Sequence, residues 1–229
     1  MDKTQDGRQQ TADGSKIVVE QDSATSVDVC HLSRCLPSLC LFVAIVFTGL
    51  TADLLTKHWT FQALGMPGER NVHWIWQDVF GFQTALNTGA LFGFMEGQTT
   101  ILVALSVVFL TGIVVYLLCW AWRSLFLTVV LGMITAGICG NLYDRLGWHG
   151  LVYPDFPEGH DLHRLSGEPI YGVRDWILCM IGTFHWPNFN IADCLLVCSV
   201  ILLSLHWLLF EEKGEQSHEK GVGMTNPKV

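Results

Sequence analysis

The stretch GQTTILVALSVVFLTGIVVYLLCWAW, residues 97–122, decides the fold because it is long, apolar and free of charge. Glu96 precedes it and Arg123 follows it. A helix needs roughly 17 to 25 largely apolar residues to cross about 30 Å of hydrocarbon. The stretch therefore predicts a transmembrane helix.

Three further apolar stretches repeat this pattern along the chain. They cover residues 35–52, 124–143 and 194–210, and each lies between charged residues. Half of the 229 residues are hydrophobic and 15% are charged, whereas roughly a quarter of the residues of a soluble domain are charged. We therefore predict an all-α membrane protein with four transmembrane helices.

The first span could instead be a cleaved signal peptide. Such a peptide begins with a short basic region and ends at a small-residue cleavage site. Here the mostly polar residues 1–34 come first, and Asp53 and Lys57 follow the span where the cleavage site would be expected. We therefore predict that the first span is retained as a helix.

The regions outside the spans differ in composition. Residues 1–34 and 213–229 are polar, which predicts disordered tails on either side of a membrane domain over residues 35–212. Residues 61–95 mix aromatic residues with Gly and Pro, a pattern typical of short strands and turns. We expect this small β-containing segment at the membrane surface, between the first and second helices. Basic residues flank the spans on both sides, so charge alone leaves the orientation open.

Charge and cysteine spacing exclude several classes of function. The net charge of -8 and the lack of a basic stripe argue against binding nucleic acid, which requires clustered Lys and Arg. The eight cysteines form no CxxC pair that would indicate zinc or redox chemistry. His160 and His163 have no further placed ligands in the sequence, so they are weak evidence for a metal. We predict no metal and no cofactor.

Acidic residues lie beside three of the spans. Asp53 follows the first span, Asp144 follows the third and Asp193 precedes the fourth, so alternating helices bring all three to one membrane face. A carboxylate in such a place costs roughly 2.5 to 3.5 kcal/mol on insertion scales, so it calls for an explanation. Each could simply mark a helix end, and Asp53 can form an ion pair with Lys57 one turn later. Two neighbouring carboxyls that share one proton could instead act as general base and general acid.

Amides accompany two of these acids at the same spacing. Asn141 lies three residues before Asp144, and Asn190 lies three residues before Asp193. Residues three apart share a helix face, so each amide can bind its carboxylate or a substrate carbonyl. Gly140 would allow another helix to approach closely. The pattern favours a polar notch between helices, with Asp144 and Asp193 as the pair of acids.

Four blocks of the chain resemble the lipoprotein signal peptidase (signal peptidase II) family, in the family's order and spacing relative to the spans. They are DLLTK at residues 53–57, NTGALF at 87–92, GNLYDR at 140–145 and FNIAD at 189–193. VRDWI at residues 173–177 is similar to a further family block. The resemblance covers most of residues 37–210.

The resemblance implies a membrane aspartyl endopeptidase with Asp144 and Asp193 as its catalytic dyad. It implies that the substrate site is lined or supported by Asp53, Lys57, Asn87, Gly89, Ala90, Gly140, Asn141, Arg145, Asp175 and Asn190. The substrates would be prolipoproteins, cut by activated water before a cysteine that carries diacylglycerol, without a metal. The family also implies the bacterial inner membrane, with both termini cytoplasmic and with the active site and the β-containing segment on the extracytoplasmic side.

The chain departs from the family pattern by an insertion at residues 146–172, which could be a lid, a partner surface or a plain surface loop. A different class of function, a small four-span transporter or scaffold with buried carboxylates, is the main alternative. Transport sites usually lie near the middle of the membrane. The predicted acids lie at span ends, which favours a protease.

Overall fold

A computed structural model describes residues 22–69, 71–89, 97–119, 124–155, 158 and 165–222, with side chains described from residue 36 to residue 209 apart from Cys119. Along the chain the elements are α1 (Asp22–Leu64), β1 (His73–Trp76), β2 (Phe80–Asn87), α2 (Thr99–Cys119), α3 (Leu125–Arg145), β3 (Val173–Ile181), β4 (Phe184–Phe189) and α4 (Ile191–Val222).

Each of the four helices contains a segment that is long and apolar enough to cross a membrane. The segments are Leu36–Leu64, Thr99–Leu118, Leu125–Arg145 and Ile191–Leu209. By length and composition, this confirms the four spans predicted from the sequence. The helix ends differ from the prediction, because α1 already begins at Asp22 and α4 continues to Val222. Parts of both predicted tails are therefore helical, and the division into domains stays a prediction.

The first helix also continues beyond its predicted end at Ala52. It runs on to Leu64, so Asp53 and Lys57 lie inside α1 rather than at its end. Both side chains are fully buried. A helix can carry them there because they are one turn apart and compensate each other's charge.

Helix α3 lies at the centre of the bundle and contacts α1, α2 and α4. Small residues on its buried face permit the close approach. A methyl group added at Gly137 would lie 2.7 Å from the carbonyl oxygen of Ala192 in α4, and one at Gly132 would lie 3.0 Å from a side-chain carbon of Ile45 in α1. The predicted use of small residues for close helix packing agrees with these contacts.

The strands form one antiparallel sheet in the order β1-β2-β3-β4. The sequence predicted β structure only between the first two helices, but β3 and β4 come from the loop between α3 and α4. The central pair joins the two loops, with Asn87 opposite Val173 and Phe80 opposite Cys179. The sheet therefore ties β3 to the segment that follows α1.

The insertion at residues 146–172 has an ordered base. Val152 and Pro169 form an isolated β-bridge, and the backbone N–H of Ile170 donates to the carbonyl of Leu151 at 3.0 Å. Ile170 is completely buried. The predicted weak metal ligands His160 and His163 lie outside the described residues.

Candidate active site

A buried lysine organises one side of the site. Lys57 Nζ lies 2.7 Å from Asp53 Oδ2 and 3.2 Å from Asp144 Oδ2, and all three side chains have no exposed surface. It also donates to Asn141 Oδ1 at 3.1 Å. A buried charge is tolerated when it is paired and hydrogen-bonded, as Lys57 is here.

Asp53 also links α1 to the start of α4. Its Oδ1 accepts a hydrogen bond of 2.9 Å from the backbone N–H of Ala192. A methyl group added at Gly140 would collide with Asp53 Oδ2. Gly140 therefore makes room for the ion pair between Asp53 and Lys57.

Asp144 is held by a second cation from the sheet. Arg174 donates to Asp144 Oδ1 from Nη2 at 2.8 Å and from Nε at 3.1 Å, and its backbone N–H donates to Oδ2 at 2.9 Å. Together with Lys57, these contacts occupy both carboxylate oxygens. The sequence did not single out Arg174, and the signal for it was the adjacent charged pair of Arg174 and Asp175 in an otherwise apolar strand.

Asp193 lies at the first turn of α4 and is bound by two amides. Asn141 Nδ2 donates to its Oδ1 at 2.8 Å, and the backbone N–H of Asn190 donates to its Oδ2 at 3.1 Å. The backbone N–H of Asp193 in turn donates to Asn190 Oδ1 at 3.1 Å. This reciprocal pairing is a capping box, in which the residue before the helix and the third helical residue satisfy each other. It fixes the carboxylate at a half-buried position.

Asp175 lies on β3 and approaches the same amide. Asn190 Nδ2 donates to Asp175 Oδ1 at 2.6 Å, and Asp175 is 2% exposed. The pKa of Asp175 is raised to about 7, mainly by burial and then by the charge of Asp193, against the lowering effect of hydrogen bonds from Asn190 and Asn87 and of the charge of Lys57. Desolvation and a neighbouring like charge both favour the protonated carboxyl. Asn190 therefore bridges the carboxyl groups of Asp175 and Asp193.

The loop after β2 forms another wall of the site. Asn87 Oδ1 accepts from the backbone N–H of Gly89 at 3.0 Å, which forms a tight turn. Arg145 Nη2 donates to the carbonyl of Gly89 at 3.1 Å, and the nearby carboxylates are those of Asp193, Asp175 and Asp144. Ala90, also predicted here, lies outside the described residues.

A cavity of about 270 Å³ opens beside these groups. Polar residues line one part of it, among them Asn87, Asn141, Arg145 and Asp193. Apolar side chains from the helices and from β4 line the rest, including Ile138, Leu196, Trp186 and Phe189. The cavity therefore presents a carboxylate and amides next to an apolar surface.

The structure brings the described predicted residues into one connected cluster, centred on Asn141 and Asn190. Asn141 contacts Lys57, Asp193 and Asn190. Among the residues that the structure describes, no group of three or more His, Cys, Asp and Glu side chains is arranged to hold a metal ion.

Solved structures with a similar architecture are known. Two solved structures, each described as a bacterial membrane enzyme, share the fold. One has a TM-score of 0.57, 21% identity and coverage of 82% of this chain and 94% of that chain. The other has a TM-score of 0.55, 23% identity and coverage of 73% and 92%.

Sequence relatives are more informative than the solved structures. The lipoprotein signal peptidase of Rhodopirellula baltica is 43% identical over 166 residues, which is 71% of this chain and 69% of the relative. The lipoprotein signal peptidase of Clostridium novyi is 30% identical over 172 residues, which is 75% of this chain and 99% of the relative. The family model for signal peptidase (SPase) II matches residues 45–209.

The four apolar helices and the match to these relatives identify a multi-pass membrane aspartic protease. The chain belongs to the signal peptidase II family, whose work is lipoprotein processing. Family membership removes the support for the alternative of a small transporter or scaffold.

Proposed function

We propose that the protein removes signal peptides from prolipoproteins by activating water between Asp175 and Asp193, and that it cuts before a cysteine carrying diacylglycerol. The observation that carries the proposal is that Asn190 bridges these two acids. Asn190 binds both carboxylates, and the pKa of Asp175 is raised to about 7 by burial and by the charge of Asp193. One proton shared between two acids is what aspartic protease chemistry requires.

This proposal changes the role of Asp144 from the one predicted by sequence resemblance. Both oxygens of Asp144 are occupied by Lys57, by the guanidinium of Arg174 and by a backbone N–H. Two salt bridges and a backbone hydrogen bond engage both oxygens of this buried carboxylate, and breaking such a buried ion pair is costly. Asp144 is better suited to hold the site together, and Asp175 takes its place beside Asp193.

The reaction follows from the unequal environments of the two acids. Asp193 acts as the ionised member and takes a proton from water, while the protonated Asp175 donates its proton to the oxygen of the scissile carbonyl. Water oxygen bonds to the carbonyl carbon and gives a tetrahedral diol. Asp175 then takes a hydroxyl proton back, Asp193 gives its proton to the leaving nitrogen, and the C–N bond breaks. The pair ends in its starting protonation state.

The cavity supports a substrate with a polar backbone and a lipid. Asp193, Asn141 and Arg145 line its polar part, while Ile138 and Leu196 on neighbouring helices offer an apolar surface for acyl chains. Asn87 and the Gly89 turn would bind the peptide backbone close to the acids. No metal or cofactor takes part in this chemistry.

The proposed location is the bacterial inner membrane, with the acids near the extracytoplasmic face. Four spans put both termini on one side, and we propose that this side is the cytoplasm. Diacylglyceryl-modified precursors would then reach the cavity from within the bilayer.

The first prediction concerns the substrate. Purified protein in detergent should cleave a synthetic prolipoprotein peptide that carries diacylglyceryl-cysteine, and mass spectrometry should show the modified cysteine as the new amino terminus. The same peptide with unmodified cysteine is the matched control, and it should be cut at least about tenfold more slowly, because loss of about 1.4 kcal/mol of binding is enough for that factor. Equal cleavage of both peptides would contradict a role for the lipid.

The second prediction concerns pH. Turnover should fall as pH rises through about 7, because Asp175 then loses the proton that it must donate. The charged groups around Asp175 are Asp193 on α4, Lys57 on α1 and Arg145 on α3. A kcat profile measured from pH 5 to pH 9 checks this, and a kcat that stays constant up to pH 9 would contradict it.

The raised pKa of Asp175 should also make the stability of the protein depend on pH, and melting measurements therefore serve as a control for the pH profile of kcat. An acid whose pKa is higher in the folded state than in the unfolded state favours folding when the pH is below its pKa in the unfolded state. This contribution is lost as the pH rises through its pKa in the folded state. Asp175 should therefore lower stability progressively between about pH 4 and pH 7. In Asp175→Asn this part of the pH dependence of melting should be absent.

A further inference from the structure

We propose that Arg174 is a positioning residue for catalysis, which clamps β3 to Asp144 and thereby holds Asp175 beside Asp193. The inference rests on the proposed function, since it assumes that Asp175 is one of the reacting acids. Arg174 itself is not placed against a substrate.

The geometry of the strand links the two side chains. Arg174 and Asp175 are consecutive residues of β3, and consecutive strand residues project to opposite faces. Arg174 is 5% exposed and directs two side-chain donors and its backbone N–H at Asp144 near the end of α3. Asp175, on the other face, meets Asn190. The clamp on one face therefore sets the position of the carboxyl on the other.

A second connection runs through the buried charges. Asp53 and Asp144 are balanced by Lys57 and Arg174, so the buried cluster is neutral. Without Arg174 it would carry one unbalanced negative charge, and Lys57 would be left to serve two carboxylates alone.

The unbalanced charge would affect Asp193 through the side-chain amide of Asn141. Lys57 donates to Asn141 Oδ1 at 3.1 Å, and Asn141 Nδ2 donates to Asp193 Oδ1 at 2.8 Å. A shift of Lys57 toward the carboxylates would turn the amide that holds Asp193. Arg174 thus acts on Asp175 through the strand and on Asp193 through Asp144, Lys57 and Asn141.

The test compares Arg174→Met, Arg174→Lys and the double variant Arg174→Met with Asp144→Asn. The methionine removes the charge and keeps much of the volume, the lysine keeps the charge but loses the two-point contact, and the double variant restores neutrality. For each, kcat, KM and the pH profile are measured with the lipidated peptide, and melting in detergent gives the folded fraction.

Arg174→Met should lower kcat about tenfold or more with KM changed less than about twofold, because small misplacements of reacting groups have effects of this size. The unbalanced negative charge should also move the alkaline limb of its pH profile upward. Arg174→Lys should recover part of kcat. The double variant should exceed Arg174→Met in kcat and return the alkaline limb toward the wild-type position.

Several results would overturn the inference. They are a folded Arg174→Met protein with kcat within about twofold of wild type, an alkaline limb that does not move, or a double variant no faster than the single one. If Arg174→Met does not fold, the test rests on Arg174→Lys and on the double variant, in which the buried cluster stays neutral. Both should fold and turn over more slowly than wild type at similar KM. Wild-type kcat in either variant overturns the inference.

Asp175→Asn separates this inference from the proposed function. If Asp175→Asn still turns over, the proposed pair of acids fails, whatever the Arg174 variants do. If Asp175→Asn is inactive while the Arg174 variants behave as wild type, only the role of Arg174 fails.

Discussion

Asp175→Asn and Asp193→Asn should each lower kcat by roughly 10²- to 10⁴-fold, the range for loss of a positioned general acid or base. An amide has nearly the shape of the carboxyl group but cannot exchange the proton that the reaction moves. Asp175 accepts its hydrogen bond from Asn190, and Asp193 accepts its hydrogen bonds from Asn141 and from the backbone of Asn190. The measurement is initial-rate cleavage of the lipidated peptide at equal concentrations of folded protein.

Stability should not explain this loss. The raised pKa of Asp175 means that its ionised form is unfavourable in the folded protein, so Asp175→Asn should melt at the wild-type temperature or higher near neutral pH. Asp144→Asn, at the same folded concentration, is the matched control and should keep measurably more activity. The assignment is contradicted if Asp175→Asn retains near wild-type turnover while Asp144→Asn has none.

Asp144→Asn should instead lower the free energy of unfolding by about 3–5 kcal/mol, the usual cost of breaking a buried ion pair from one side. The substitution leaves Lys57 and Arg174 buried with only Asp53 to balance them. Their desolvation is then no longer offset by two carboxylates. Thermal melting in detergent measures the loss.

Asp78→Asn is the matched control for this stability effect. Asp78 is exposed in the turn between β1 and β2, with a φ of 57°, a conformation that Asn also adopts readily. It should change the unfolding free energy by less than about 0.5 kcal/mol, as surface substitutions usually do. Equal melting of Asp144→Asn and wild type would show that the buried cluster contributes little.

The membrane helices could be predicted because their signal is local. A charge-free apolar run identifies a span whatever its neighbours are, and the four predicted runs correspond to four helices. The end of α1 was missed for the opposite reason. Asp53 and Lys57 resemble a polar boundary in the sequence, but they neutralise each other inside the bundle and the helix continues.

The sheet could be predicted only in part. β1 and β2 were expected from the aromatic and glycine pattern of their segment, but pairing of β2 with β3 joins segments that are far apart in the sequence. No short-range turn signal specifies such a pairing. Consequently the contribution of β3 and β4 became evident only from the structure.

The members of the site could be predicted from motifs, but their roles depend on three-dimensional placement. Asp144 and Asp175 are both acids in recognisable blocks. What distinguishes them is that Arg174 and Lys57 surround Asp144, whereas Asp175 faces another carboxylate across Asn190. The available signal for Asp175 was the charged pair of Arg174 and Asp175 in an apolar strand, and the sequence predicted only a supporting role for Asp175.

The most direct test of the central claim is an infrared titration of the carboxyl groups in the detergent-solubilised protein. We expect a protonated carboxyl band that disappears as pH rises through about 7, that is absent in Asp175→Asn and that persists in Asp144→Asn. A band that persists in Asp175→Asn and is lost in Asp144→Asn would place the proton on Asp144 instead of Asp175 and contradict the account.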